Sequence, residues 1–416
     1  MRAVSAATMS SLTFRCFVMA ARSRPARARH LPRAADRRRP RGGTEVRGVP
    51  GRSPPTGKTR DRGRIGMVRV SAARGRTGVS DSVPSETVFS FRTGASLVKV
   101  AFVGKGGSGK TTTSSLFIRH LAAERAPVVA IDADINQHLG VALGMPEEQS
   151  ADVPALGAHL AEIKEYLRGD NPRIASADEM VKTTPPGRGS RLLRFDGHDP
   201  VHALSRQVDG VTFMATGPFD EDDLGVSCYH GKTGAMEMYL NHLVDGPGEY
   251  VVADMTAGAD TFASGLFTRF DVLFLVVEPT RKGVAVYRQY TGHASDFGVR
   301  IAVVGNKVQT AEDEAYLREH VGPDLLAVIG HQPAVRAMEQ GRPFDLDSLD
   351  DAARKALRCL QDEVDAQPKD WARYQRQANE FHVRNAESWA NKAVGVDLTR
   401  QIDPGFVLGP DAPMGA

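Results

Sequence analysis

The sequence predicts an α/β chain, three-layered, with a mostly parallel sheet and helices on both faces. Two observations carry this. From residue 98 onward, short apolar runs alternate with segments of helical spacing, the pattern of strands joined by crossover helices. The runs are apolar on both alternate sets of positions, so each strand needs cover on both sheet faces. A third observation places a ligand site in that frame. The first run is followed at once by a glycine-rich turn and then a helix, the context in which a turn cradles phosphate.

Taken in order, the first strand is expected at 98–103, and the helix after the turn carries Leu116, Phe117 and Leu121 on one face. Between them Gly104 to Thr112 reads GKGGSGKTT, which fits G-x-x-x-x-G-K-[ST] through Gly104, Gly109, Lys110 and Thr111. The glycines are expected to let backbone N–H groups point into one concavity at a helix N-terminus, where phosphate oxygens are held. Lys110 would neutralise the terminal phosphates, and the Thr111 hydroxyl, next to Thr112, would ligate Mg²⁺. Gly104, Gly106 and Gly109 also satisfy the dinucleotide pattern G-x-G-x-x-G, so a nicotinamide- or flavin-dependent oxidoreductase is the competing reading. The Lys-Thr directly after the last glycine favours the phosphate loop, because a dinucleotide turn has no need of it. A second GKT at residues 57–59 has Arg52 in place of the first glycine and no strand before it.

Further strands are expected at 128–131, 210–215, 250–253, 272–277, 300–304 and 325–329. Two of them end in aspartates, Asp132-Ala-Asp134 and Asp254. Carboxyl ends of strands face the ligand crevice of such sheets, so these aspartates should converge on the phosphates. One carboxylate behind a metal and another near the terminal phosphate suffice for hydrolysis. A helix N-cap is the plainer role for either aspartate taken singly. Residues 151–208 are less regular, with a helical stretch at 158–167, and look like a surface peculiar to this chain. Residues 98–366 form the expected nucleotide-binding domain, closed by a helix over 351–366. Beyond Pro368, positions 371, 374, 378 and 381 make a helical stripe expected to pack on the body or on a second subunit, and the residues after Gly405 read as a frayed tail.

Charge is unevenly placed. Residues 1–97 hold 21 Lys and Arg against 5 Asp and Glu, whereas the rest holds 32 against 45. The acidic body gives no strong case for nucleic acid, and the mixed polar face of the C-terminal stripe gives none for a membrane surface. The Arg- and Pro-rich leader is expected to be disordered. It reads as a tail for nucleic acid or an acidic partner, as an organellar transit peptide, or as sequence upstream of a true start at Met67. Three cysteines, Cys16, Cys228 and Cys359, make no disulfide framework and fit a reducing cytoplasm.

Lys105 makes the pattern more specific. Lys105 to Thr111, KGGSGKT, resembles the deviant Walker A motif of the MinD/ParA/Mrp/nitrogenase iron-protein group of dimeric ATPases, within the three-layer P-loop NTPase fold. Asp132-Ala-Asp134 resembles that group's switch I, and Asp254-Met-Thr-Ala-Gly258 its Walker B and switch II. Val276-Val-Glu-Pro-Thr280 and Gly305-Asn-Lys-Val308 are most similar to the CooC branch, ATPases that assist nickel insertion into carbon monoxide dehydrogenase. The resemblance implies a homodimer with ATP and Mg²⁺ at the interface and a client protein whose identity the sequence does not give. It implies that Lys105 reaches the partner's phosphates, that the backbone of Gly106, Gly107, Ser108 and Gly109 holds those of the same subunit, that Thr111 holds Mg²⁺ with Asp254 behind it, that Asp134 positions water, and that Asn306 contacts the adenine. Gln309, where a guanine-specific site has aspartate, favours ATP. The Cys-x-Cys pair usual in CooC proteins is reduced here to Cys228 and His230. Doubled by a dimer, these make a candidate transition-metal site; a buried thiol beside an unrelated histidine is the simpler account. A nucleotide-dependent binding module without turnover is the remaining alternative.

Overall fold

A computed structural model describes residues 98–413 apart from 196, 219–229, 259 and 263–264, and all structural statements concern those residues. The elements run β1 (Val98–Gly104), α1 (Lys110–Ala123), β2 (Val128–Ala133), α2 (Leu139–Ala142), α3 (Glu147–Ala151), α4 (Leu160–Arg168), β3 (Arg206–Val208), β4 (Val211–Ala215), α5 (His230–His242) and β5 (Tyr250–Met255). They continue with β6 (Val272–Val277), α6 (Arg281–Ala294), β7 (Arg300–Val308), α7 (Ala311–Val321), β8 (Leu325–Gly330), α8 (Pro333–Glu339), α9 (Asp351–Asp365), α10 (Trp371–Asn385) and α11 (Asn391–Val394). One eight-stranded sheet has the order β3-β4-β2-β5-β1-β6-β7-β8. All pairings are parallel except β3 with β4. Short, mostly exposed β3 carries no apolar run, so sequence pattern gave no sign of it.

Strand alternation divides the core into two layers. Val98, Val100 and Phe102 of β1 face the layer built with α1 and α9, where Phe102, Phe117 and Phe274 pack ring to ring at centroid distances of 5.1–5.8 Å. Ala101 and Val103 face the other layer, with Met236, Tyr239 and Leu240 of α5 and Tyr290 of α6. Lys99, on that same face, is fully buried. Its ammonium group lies 3.0 Å from Asp245 and donates to the carbonyls of Leu240 and Leu243 and to the Tyr374 hydroxyl. Lys369 completes the buried network, 2.7 Å from Asp271 and 3.3 Å from Asp245.

The C-terminal extension packs against the body through this network and through Phe381, which meets Phe267 and Phe297. The tail is not frayed over the described residues. Phe406, Leu408 and Ala412 are buried with Leu192, Val244 and Tyr374. Asp403 pairs with Arg188, and Gln401 meets Thr184. Arg188 and Thr184 lie more than 200 residues upstream, so no local pattern could show them. No helix among the described residues is long and apolar enough to cross a membrane.

Candidate nucleotide site

The turn from β1 to α1 is shaped by two tight approaches. Gly104 has φ 149°, its carbonyl accepts from Gly258 N, and a Cβ there would lie 2.6 Å from the Val276 carbonyl oxygen. Gly109 sits left-handed before α1 at φ 95°, and a Cβ would meet Asn306 Nδ2 at 2.1 Å. A side chain at Gly104 would push the turn off the Val276 backbone, and one at Gly109 would strain the left-handed backbone and displace the Asn306 amide. The turn opens on a cleft of about 640 Å³ lined by its glycines together with Lys110, Thr111, Asp134, Asn306 and Lys307.

Beneath the turn lie two buried carboxylates. Parallel pairing of β2 with β5 sets Asp132 opposite Asp254. Thr111 Oγ1 donates to Asp254 Oδ2 at 2.5 Å, while Asp254 Oδ1 is buried and has no hydrogen-bond partner. Burial pushes the Asp254 carboxyl up to about 7, against the opposing pull of Thr111 and Lys110. Asp132 is pushed well above the usual carboxylate range by burial and by Asp254 beside it. Its two oxygens accept from Asp134 N and Leu139 N, so it organises the loop after β2. Asp134 Oδ1 accepts from the backbone and side-chain nitrogens of Asn136, both at 2.9 Å.

The structure brings Lys110, Thr111, Asp134, Asp254 and Asn306 to one end of the sheet. Asn306 Nδ2 donates to the Ser108 carbonyl at 2.7 Å, so here it braces the loop. Lys105 turns to Glu278 at the end of β6, with Nζ 2.6 Å from Oε2. Lys307 lies 2.9 Å from Oε1 of the same glutamate and donates to the Gly107 carbonyl at 2.5 Å. Burial raises Glu278, but the two lysines more than offset it and hold the carboxyl below its ordinary value. The sequence reading gave neither Glu278 nor Lys307 a role. The signal was present: Glu278 is a carboxylate at the carboxyl end of an apolar strand, as Asp254 is. Cys228 falls outside the described residues, as does the side chain of His230, so the candidate metal pair does too.

A phosphate loop on a parallel strand, with a buried aspartate behind its threonine, defines a nucleotide-binding protein of the P-loop class. Residues 100–344 match the CobQ/CobB/MinD/ParA nucleotide-binding domain, and the chain belongs to that family. Among curated relatives, an uncharacterized ATP-binding protein of Methanocaldococcus jannaschii is 28% identical over 60% of this chain and 92% of its own length. The carbon monoxide dehydrogenase accessory protein CooC of Rhodospirillum rubrum is 28% identical over 58% of this chain and 87% of its own length. Among solved structures, the septum site-determining protein MinD of Pyrococcus horikoshii, complexed with Mg-ADP, is 19% identical over 65% of this chain and 96% of that chain, with a TM-score of 0.41.

Proposed function

We propose that this protein is a Mg²⁺-dependent ATPase that works as a dimeric switch, closing on a second copy with ATP bound and opening after hydrolysis to act on a client protein. The observation that carries the reading is the pair Thr111–Asp254. A hydroxyl at the start of α1 is held by a buried carboxylate that keeps one oxygen without a partner. Such a donor set, hard oxygens beside a phosphate cradle, fits Mg²⁺, with Thr111 as ligand and Asp254 behind it. Bound there, the ion would neutralise charge on the phosphates.

The chain's own groups have distinct tasks in this scheme. The 106–109 backbone and Lys110 hold the phosphates of the same subunit. Asp134, braced by Asn136, orients water toward the terminal phosphate. Lys105 serves the partner subunit's phosphates, which makes turnover depend on dimerisation. Similarity to CooC supports metallocentre maturation, with nickel as cargo, as the branch of function; a client-positioning role is the other branch.

The test is ATP hydrolysis and molar mass of the full chain with Mg-ATP and with Mg-ADP. Wild type is expected to dimerise with ATP and to turn it over. Lys105→Ala should retain nucleotide binding but lose both dimer and turnover, and Lys110→Ala should lose binding. Turnover indifferent to Lys105, from a protein that stays monomeric with ATP, would refute the switch.

A further inference from the structure

Glu278 holds two ammonium groups, one on each carboxylate oxygen: Lys105 at 2.6 Å and Lys307 at 2.9 Å. The glutamate side chain is 15% exposed, Lys105 34% and Lys307 54%. A mostly buried anion is therefore covered by two cations on its solvent side, and the cluster keeps one positive charge in excess. The two cations differ in how they are tied. Lys307 is also bonded to the Gly107 carbonyl, and its backbone sits in the left-handed region at φ 58°, unusual for a residue with a side chain. That conformation aims it at the loop. Lys105 stands between Gly104 and Gly106 on the turn, and Glu278 is its hydrogen-bond partner there.

We propose that Glu278 is a positioning residue that parks Lys105 within its own subunit, and that Lys307 is the counterion that lets Lys105 leave. This rests on the dimeric-switch reading, in which Lys105 serves the partner's phosphates. An ammonium group 2.6 Å from a carboxylate has its charge satisfied there, and it must give up that contact to reach a phosphate on another molecule. Giving it up would normally strand a mostly buried anion, which is costly. Here Lys307 stays 2.9 Å away and 2.5 Å from the Gly107 carbonyl, so the carboxylate remains neutralised. The second subunit's nucleotide thus competes with Glu278 for one lysine, and the glutamate sets the threshold for closure.

The experiment measures the dimerisation midpoint of the full chain by sedimentation, with Mg²⁺ and a non-hydrolysable ATP analogue. Glu278→Gln keeps the shape and removes the charge. Its midpoint is expected to fall roughly fivefold in protein concentration, the ratio expected for loss of a partly exposed ion pair. Glu278→Asp, which restores the charge, should return the midpoint toward wild type. Lys307→Met should raise the midpoint, because release of Lys105 would then leave Glu278 bare. With Lys105→Ala in the background, Glu278→Gln should not restore the dimer. A Glu278→Gln midpoint that is unchanged or higher, or a dimer recovered by Glu278→Gln without Lys105, overturns the proposal. Should Glu278→Gln fail to fold, the opposite-signed Lys307→Met shift decides, and a lowered or unchanged midpoint there overturns it. Should Lys105→Ala alone leave dimerisation and turnover as in wild type, the switch reading falls and takes this inference with it. Should Lys105→Ala abolish both while Glu278→Gln changes nothing, only the parked lysine falls.

Discussion

Asp254→Asn is expected to stabilise the nucleotide-free protein while abolishing the ATP turnover proposed for it. Burial raises the Asp254 carboxyl from an ordinary 3.8 to about 7 in the fold. A group that holds its proton more tightly folded than unfolded favours the folded state fully below pH 4, and that contribution is lost as pH rises through 7. Between these limits stability should fall by about 1.4 kcal/mol per pH unit, ~4 kcal/mol in all. Asparagine removes the ionisation but keeps an oxygen for the Thr111 hydroxyl. It also puts an amide nitrogen where Oδ1 has no partner, at a cost of about 1–3 kcal/mol. The net expectation is a gain of about 1–3 kcal/mol at pH 8, shrinking to zero or reversing by pH 4. Urea midpoints of both proteins, taken from pH 4 to pH 8 in chelator without nucleotide, measure it. A variant less stable than wild type at pH 8, or a difference flat with pH, would refute the reasoning. Loss of ATP turnover in the stabilised variant would mark Asp254 as a residue kept for chemistry at the expense of stability.

Three further outcomes are expected. Lys369→Met leaves Asp271 and Asp245 short of a cation in a buried network and should cost about 3–5 kcal/mol in denaturant unfolding. Gly104→Ala places a methyl 2.6 Å from the Val276 carbonyl, so nucleotide affinity by fluorescent-analogue titration should drop at least about tenfold. Gly265→Ala forces a Cβ to 2.3 Å from Phe381 at φ 93°, and thermal unfolding should show a loss of about 2–4 kcal/mol.

The sheet was legible because its strands are apolar on both faces, a local property. The turn was legible because a close backbone approach at 104 and a left-handed backbone at 109 demand glycine. Asp254 was legible from its position at a strand end. What escaped was set by distant partners. Strand β3 exists only as the antiparallel neighbour of β4. Asn306 braces Ser108 across 198 residues, a contact its own surroundings do not announce. Glu278 passed as part of a family string, because nothing beside it in the chain indicates that two lysines meet on it. The tail looked loose because its anchors, Arg188, Thr184 and Gln375, lie in other elements.

The ammonium of Lys99 has a consequence for how the chain reaches its native state. It sits in the first strand of the sheet, yet one of its partners, Asp245, follows α5, and another, Tyr374, lies 275 residues beyond Lys99. A ribosome releases Lys99 long before either partner. Until Lys369 and Tyr374 emerge, Asp245 and Asp271 have one ammonium group, that of Lys99, between them, so the buried network is short of a cation and the two layers cannot close completely around it. The stretch from Lys369 through α10 is thus delivered late and completes the middle of the sheet. Nascent chains arrested before residue 369 should be cut readily by protease, and chains extended past the end of α10 should resist it.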